Sequence, residues 1–87
     1  MANHPSALKR HRQSEKRRLR NRAVKTRLRH LVREVRAALG SRDADAAKKR
    51  FETAAQALDK AVTKGVLHRN SAARRISRLA RAVSQLS

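Results

Sequence analysis

A chain of 87 residues with 24 Lys and Arg against 6 Asp and Glu carries a formal charge of +18, which demands a polyanionic partner and leaves little room for a large enclosed active site. It has no cysteine, so a disulfide framework and a thiolate zinc site are both excluded. The amino terminus MANHPSALKR lacks an apolar run of signal-peptide length, and no segment approaches the ~20 consecutive apolar residues that span a bilayer, so a soluble cytoplasmic protein is expected.

Glycine occurs only at Gly40 and Gly65 and proline only at Pro5, so few residues interrupt helices. The two glycines divide the chain into three segments, and each is expected to close a helix by taking positive φ. In the first segment, roughly 6–39, only the second half is apolar: Val24, Leu28, Leu31, Val35 and Ala38 or Leu39 fall on one helical stripe. Residues 6–23 have no stripe yet contain good helix formers, so they are expected to prolong the first helix as an arm beyond the core.

The second segment repeats the stripe with Ala47, Phe51, Ala54, Leu58 and Ala61, flanked by Val62. Ser41 or Asp43 is its expected cap, and Asp43 and Asp45 suit the positive end of a helix dipole. The third stripe is Ala72, Ile76, Leu79, Val83 and Leu86, with Asn70 or Ser71 as the expected cap. Three stripes close one small core, and the short connections favour antiparallel neighbours. The predicted fold class is therefore all-α: an antiparallel three-helix bundle with a long first helix, one domain over 1–87, with the arm at 1–23 and the bundle at 24–87. No period-two stretch competes, so no sheet is predicted.

The charge is unevenly placed. Residues 1–39 hold 13 basic and 2 acidic residues, 40–64 hold 6 and 4, and 65–87 hold 5 arginines and no acid. Helices one and three are thus expected to meet the anion, while the middle helix faces core and solvent. On the arm, steps of about 100° per residue scatter Arg12, Lys16, Arg17, Arg18, Arg20 and Arg22 around most of the cylinder. Charge on all sides points to insertion between several phosphate-bearing strands. Pairs such as Arg12 and Lys16, Lys16 and Arg20, or Arg18 and Arg22 each oppose a free helix by about 0.2–0.5 kcal/mol, so the arm is expected to fray alone and to become helical on RNA.

Phe51 is the one aromatic residue, and its stripe position assigns it to the core. Base stacking on exposed rings, the usual mode for single strands, is thereby nearly excluded. What remains is recognition of folded, helical nucleic acid through its phosphates and shape, for which the arginine fork is suited. A basic helix running into heptads is also the signature of a leucine zipper, so a zipper-like or nucleoid DNA-binding protein is the competing reading. Those heptads stop at Gly40, however, and a zipper leaves the two later stripes unexplained. A membrane-active cationic helix lacks the aromatic anchors and clean basic face of interfacial helices.

Two stretches, RQSEKRRLRNRAVKTRLR from Arg12 to Arg29 and KGVLHRNSAARRISRLAR from Lys64 to Arg81, closely resemble the signature regions of the bacterial small-subunit ribosomal proteins of the S20 family. The Met-Ala-Asn start, the length and the place of Gly65 agree, and the resemblance is weakest from about Ser41 to Ala57. It implies a primary-binding structural protein of the small ribosomal subunit, a three-helix bundle that contacts small-subunit ribosomal RNA directly and organises RNA helices from separate domains. Carried over by position, the implied RNA contacts are Lys9, Arg10, Arg12, Ser14, Lys16, Arg17, Arg18, Arg20, Asn21, Arg22, Lys25 and Arg29 in the first stretch. In the second they are His68, Arg69, Asn70, Ser71, Arg74, Arg75, Ser77 and Arg78. The partner implied is that RNA, with few or no protein contacts, no membrane, no small-molecule substrate, no cofactor and a monomeric chain.

Two positions depart from the family pattern. Pro5 stands where a lysine is usual, and Ile76, commonly basic in the family, falls on the core stripe and is assigned to packing. The histidines His4, His11, His30 and His68 match no metal-ligand spacing. The acids Glu15, Glu34, Asp43, Asp45, Glu52 and Asp59 form no convergent pair, so no catalytic constellation exists. Glu15 is expected to bridge to Arg18 or Arg12, and Glu34 and Glu52 to moderate charge on the bundle surface.

Overall fold

Three helices make up the chain in a computed structural model that describes residues 5–86: α1 at Pro5–Gly40, α2 at Ala44–Thr63 and α3 at Arg69–Leu86. The Met-Ala-Asn start and His4 lie outside the described residues. Among the described residues there is no strand. The first helix begins at Pro5, a first-turn position where proline is tolerated because the amide there has no intrahelical partner.

The stripes set the topology. Leu28 of α1 packs with Leu58 and Ala61 of α2 and Ala72 of α3, joined by Val24, Ala57, Val62, Val66, Leu67 and Ile76. Further along, Val35 meets Ala54 and Leu79, with Leu31, Val32, Leu39, Phe51 and Val83 around them. As α1 is followed from 28 to 35, its partners run backwards along α2 and forwards along α3. Hence α2 is antiparallel to both neighbours, and α1 and α3 run parallel. The α1–α2 and α2–α3 seams carry most of the packing, whereas α1 and α3 touch little. Ile76 lies on the packed side, as its stripe position requires, and no polar side chain is buried among the described residues.

Both turns use the same device at different residues. After α2, Gly65 N–H donates to the Val62 carbonyl and Val66 N–H to the Ala61 carbonyl, with Gly65 at φ +78°. This paired closure requires one left-handed residue, and glycine adopts that conformation without a Cβ clash. After α1 the same pair of bonds runs from Arg42 to Leu39 and from Asp43 to Ala38, and here the left-handed residue is Arg42 at φ 58°. Gly40, expected to close that helix, is instead its last residue. The helix continues through it because the closing geometry is set by where Ala38 and Leu39 seat in the core, two residues further along than the glycine suggests.

The caps divide similarly. Asp43 caps α2, its side chain accepting from Ala46 N–H at 3.1 Å, while Ser41 Oγ turns back to the Ala38 carbonyl. Neither Asn70 nor Ser71 caps α3. His68 precedes the helix, its Nδ1 accepting from Asn70 N–H at 3.1 Å and its carbonyl accepting from Ala72 N–H. Asn70 is already inside the first turn, where its own amide is the donor being satisfied.

The arm is the other half of α1. With 36 residues at about 1.5 Å each, α1 runs about 54 Å and accounts for most of the 62 Å long axis. Its first apolar residue packed on the core is Val24; Leu8 and Leu19 are both exposed.

Candidate nucleic-acid interface

On the arm, Lys9, Arg10, Arg12, Ser14, Lys16, Arg17, Arg18, Arg20, Arg22, Lys25 and, within the bundle, Arg29 are all exposed. Those from Ser14 to Lys25 line two shallow hollows. One side groups Ser14, Arg17, Arg18, Asn21, Arg22 and Lys25, and an adjoining side groups Gln13, Lys16, Arg17 and Arg20. Spacings of three and four make each group a stripe, and the two overlap at Arg17, so cationic side chains wrap around the helix instead of lining one edge.

Internal bonds engage only a few of these groups. Arg18 pairs with Glu15 at 3.2 Å, one of the two partners expected for that acid, and both side chains remain well exposed, so the pair is a weak surface contact. Arg20 reaches across to the Lys64 carbonyl at 3.3 Å. That bond fastens the base of the arm to the end of α2, beside the start of the second basic stretch. Asn21 is half-buried, and its Oδ1 is buried without a hydrogen-bond partner. An orphaned oxygen of this kind costs about 1–3 kcal/mol, so some other demand holds the residue there.

The second stretch lies on α3 and the turn before it. His68, Arg69, Asn70, Arg74, Arg75, Ser77 and Arg78 are exposed, and Ser71 is half-buried. Asn70 Nδ2 and Oδ1 have no role in the cap, which leaves them to solvent or a ligand. Arg75 and Arg78 face α1 across a cleft whose other wall is Arg29, Arg33 and Arg36, with Val32 and Leu79 between them. Arg33 and Arg36 are absent from the residues that sequence reasoning selected. They lie four and seven residues beyond Arg29, hence on its face of the helix, and that spacing was the available signal. The Lys64 carbonyl left no signal, since backbone groups carry no side-chain mark.

On the far side, Glu34 holds Arg50 of α2 at 3.0 Å, so the one acid in the bundle half of α1 is directed to the middle helix. The residues that line the cleft between α1 and α3 thus include no acid. No group of three or more His, Asp or Glu side chains among the described residues is arranged to hold a metal ion. No described helix is long and apolar enough to cross a membrane.

Residues 2–84 match the family described as Ribosomal protein S20. The chain belongs to that family. It is 54% identical to the small ribosomal subunit protein bS20 of Maridesulfovibrio salexigens over 87 residues, the whole of both chains. The protein of the same name from Solidesulfovibrio magneticus is 56% identical over 85 residues, covering 98% of this chain and 96% of its own. That from Anaeromyxobacter sp. is 48% identical over 87 residues, covering 100% and 97%. As a member of the S20 family the chain is a structural constituent of the small ribosomal subunit, a cytoplasmic particle in bacteria, and not an enzyme.

Proposed function

We propose that the chain binds small-subunit ribosomal RNA directly, as a monomer with few protein neighbours, and stabilises the packing of RNA helices that would otherwise repel one another. The observation that carries this reading is the disposition of charge. Cations surround α1 beyond the core and continue on α3, while α2 holds the balancing acids. Phosphates on several sides of the arm, neutralised together, let RNA backbones approach more closely than their mutual repulsion allows. The bundle fixes the angle between the α1 and α3 surfaces, and the Arg20 bond to the Lys64 carbonyl ties the base of the arm to the end of α2.

The zipper-like DNA-binding alternative needs the α1 stripe as a dimer seam. Leu28 and Val35 are 2% and 0% exposed, occupied by α2 and α3 of the same chain. The reading is tested by competing small-subunit ribosomal RNA against duplex DNA of equal length at fixed salt, with sedimentation of the free protein alongside. A preference for the RNA of at least tenfold and a monomeric mass are expected. Equal affinity for both, or a dimer, contradicts it.

A further inference from the structure

We propose that the cleft between α1 and α3 is a seat for closely spaced phosphate groups, gripped by Arg29, Arg33 and Arg36 from one wall and by Arg75 and Arg78 from the other. The walls follow from helical spacing. Residues 29, 33 and 36 share one face of α1, and 75 and 78 share one face of α3, with Val32 and Leu79 falling between them as the apolar floor. The cleft is open to solvent and has a volume of about 470 Å³, which admits more than one phosphate with part of its hydration.

Among the described residues nothing compensates these five charges. No carboxylate lines the cleft, and α3 contains no acid anywhere. The two acids of α1 are engaged elsewhere, Glu15 by Arg18 and Glu34 by Arg50. Among the described residues none of the five guanidinium groups makes a hydrogen bond or an ion pair within the protein. Five guanidinium groups on two opposed walls repel across the gap, and this is the pair of helices that packs least. A divalent or polyvalent anion that bridges the walls removes the repulsion and ties α3 to α1, so binding and bundle stability are coupled. The planar forks suit paired phosphate oxygens, and the apolar floor excludes water from one side of each contact.

The proposal rests on the RNA reading only for the natural source of the phosphates, so its test begins without RNA. The full chain is melted in sodium tripolyphosphate and in sodium chloride at equal ionic strength. At concentrations well above the dissociation constant, tripolyphosphate is expected to raise Tm by about 5 °C or more beyond chloride. The double variant Arg33→Gln, Arg75→Gln is expected to lose most of that increment. The double variant Lys48→Gln, Lys49→Gln, which removes the same charge from exposed positions on α2, keeps it. Equal melting of the parent in both salts, or equal loss in both variants, overturns the proposal, because the anion then acts on net charge alone.

Arginine Nε–H resonances of the unsubstituted chain give a reading that does not depend on how a variant folds. Those of the five cleft arginines shift and saturate with tripolyphosphate ahead of Arg42 and Arg50; uniform shifts contradict the site. Affinity for small-subunit ribosomal RNA then assigns the source. A loss of tenfold or more in Arg33→Gln, Arg75→Gln is expected, identifying phosphodiesters of the RNA as the occupant. Unchanged RNA affinity overturns that source and leaves a free oligophosphate as the ligand.

Discussion

Arg42 is the residue most at odds with its backbone. A left-handed conformation brings its Cβ against the following carbonyl, at a cost of about 1–2 kcal/mol for an L-residue, and its φ of 58° is fixed by the closure of α1. Arg42→Gly is therefore expected to raise stability by about 0.5–1 kcal/mol, the relief of strain being partly offset by the greater freedom of the unfolded glycine. Gly65→Ala should do the reverse by about 1 kcal/mol, since its φ is +78° although a Cβ there would meet nothing within 4 Å. Urea unfolding of the two variants measures both, and shifts of the same sign would show that turn conformation is not the cause. Asn21 is a second misfit: Asn21→Leu removes an orphaned oxygen and is expected to add about 1 kcal/mol of stability while lowering RNA affinity. A gain in stability with RNA affinity unchanged would remove the reason for keeping the amide.

At the scale of elements, the cap of α3 and the loose half of α1 are separately testable. His68→Ala is expected to cost about 1 kcal/mol by leaving the Asn70 amide unpaired, and His68→Asn, whose side chain accepts in the same place, to cost much less. The two outcomes are read as differences in thermal midpoint. In α1, residues before Val24 are held by helix propensity, the Glu15–Arg18 pair and the Arg20 bond, whereas Leu28 to Ala38 are locked in the core. Amide exchange is expected to be fast over 6–19, slow over 28–38, and to slow on the arm when RNA binds. Uniform protection along α1 in the free protein would contradict the view that repulsion among its cations and attraction to phosphates govern the arm. The three helices were legible because each stripe repeats at helical spacing and buries its small or branched residues, as at Ala47, Leu58 and Leu79. The closure at Arg42 and the cap at His68 were not. Each depends on which turn of the preceding helix docks, a tertiary fact that local preference for glycine or asparagine does not encode.

For the whole molecule, the division of labour among helices is the central feature. The middle helix brings acids and most of the packing, and the outer two bring cations to a common side. Chain-wide charge counts were enough to foresee this, because residues 65–87 hold no acid. They could not reveal that Arg33 and Arg36 stand opposite Arg75 and Arg78, since parallel packing of α1 and α3 is a property of the assembled bundle. The exposed core-distant half of α1 carries the claim that RNA surrounds the arm. Arg12, Arg17 and Arg22 fall at successive intervals of about 140° around that helix, and their side chains make no bond among the described residues. The direct measurement is the slope of log affinity against log salt for small-subunit ribosomal RNA in Arg12→Gln, Arg17→Gln and Arg22→Gln taken singly. Each is predicted to lower the slope by about 0.7–0.9, one phosphate contact apiece. A reduction confined to one of the three, with the others matching the parent, would mean that RNA meets a single face and would contradict the account.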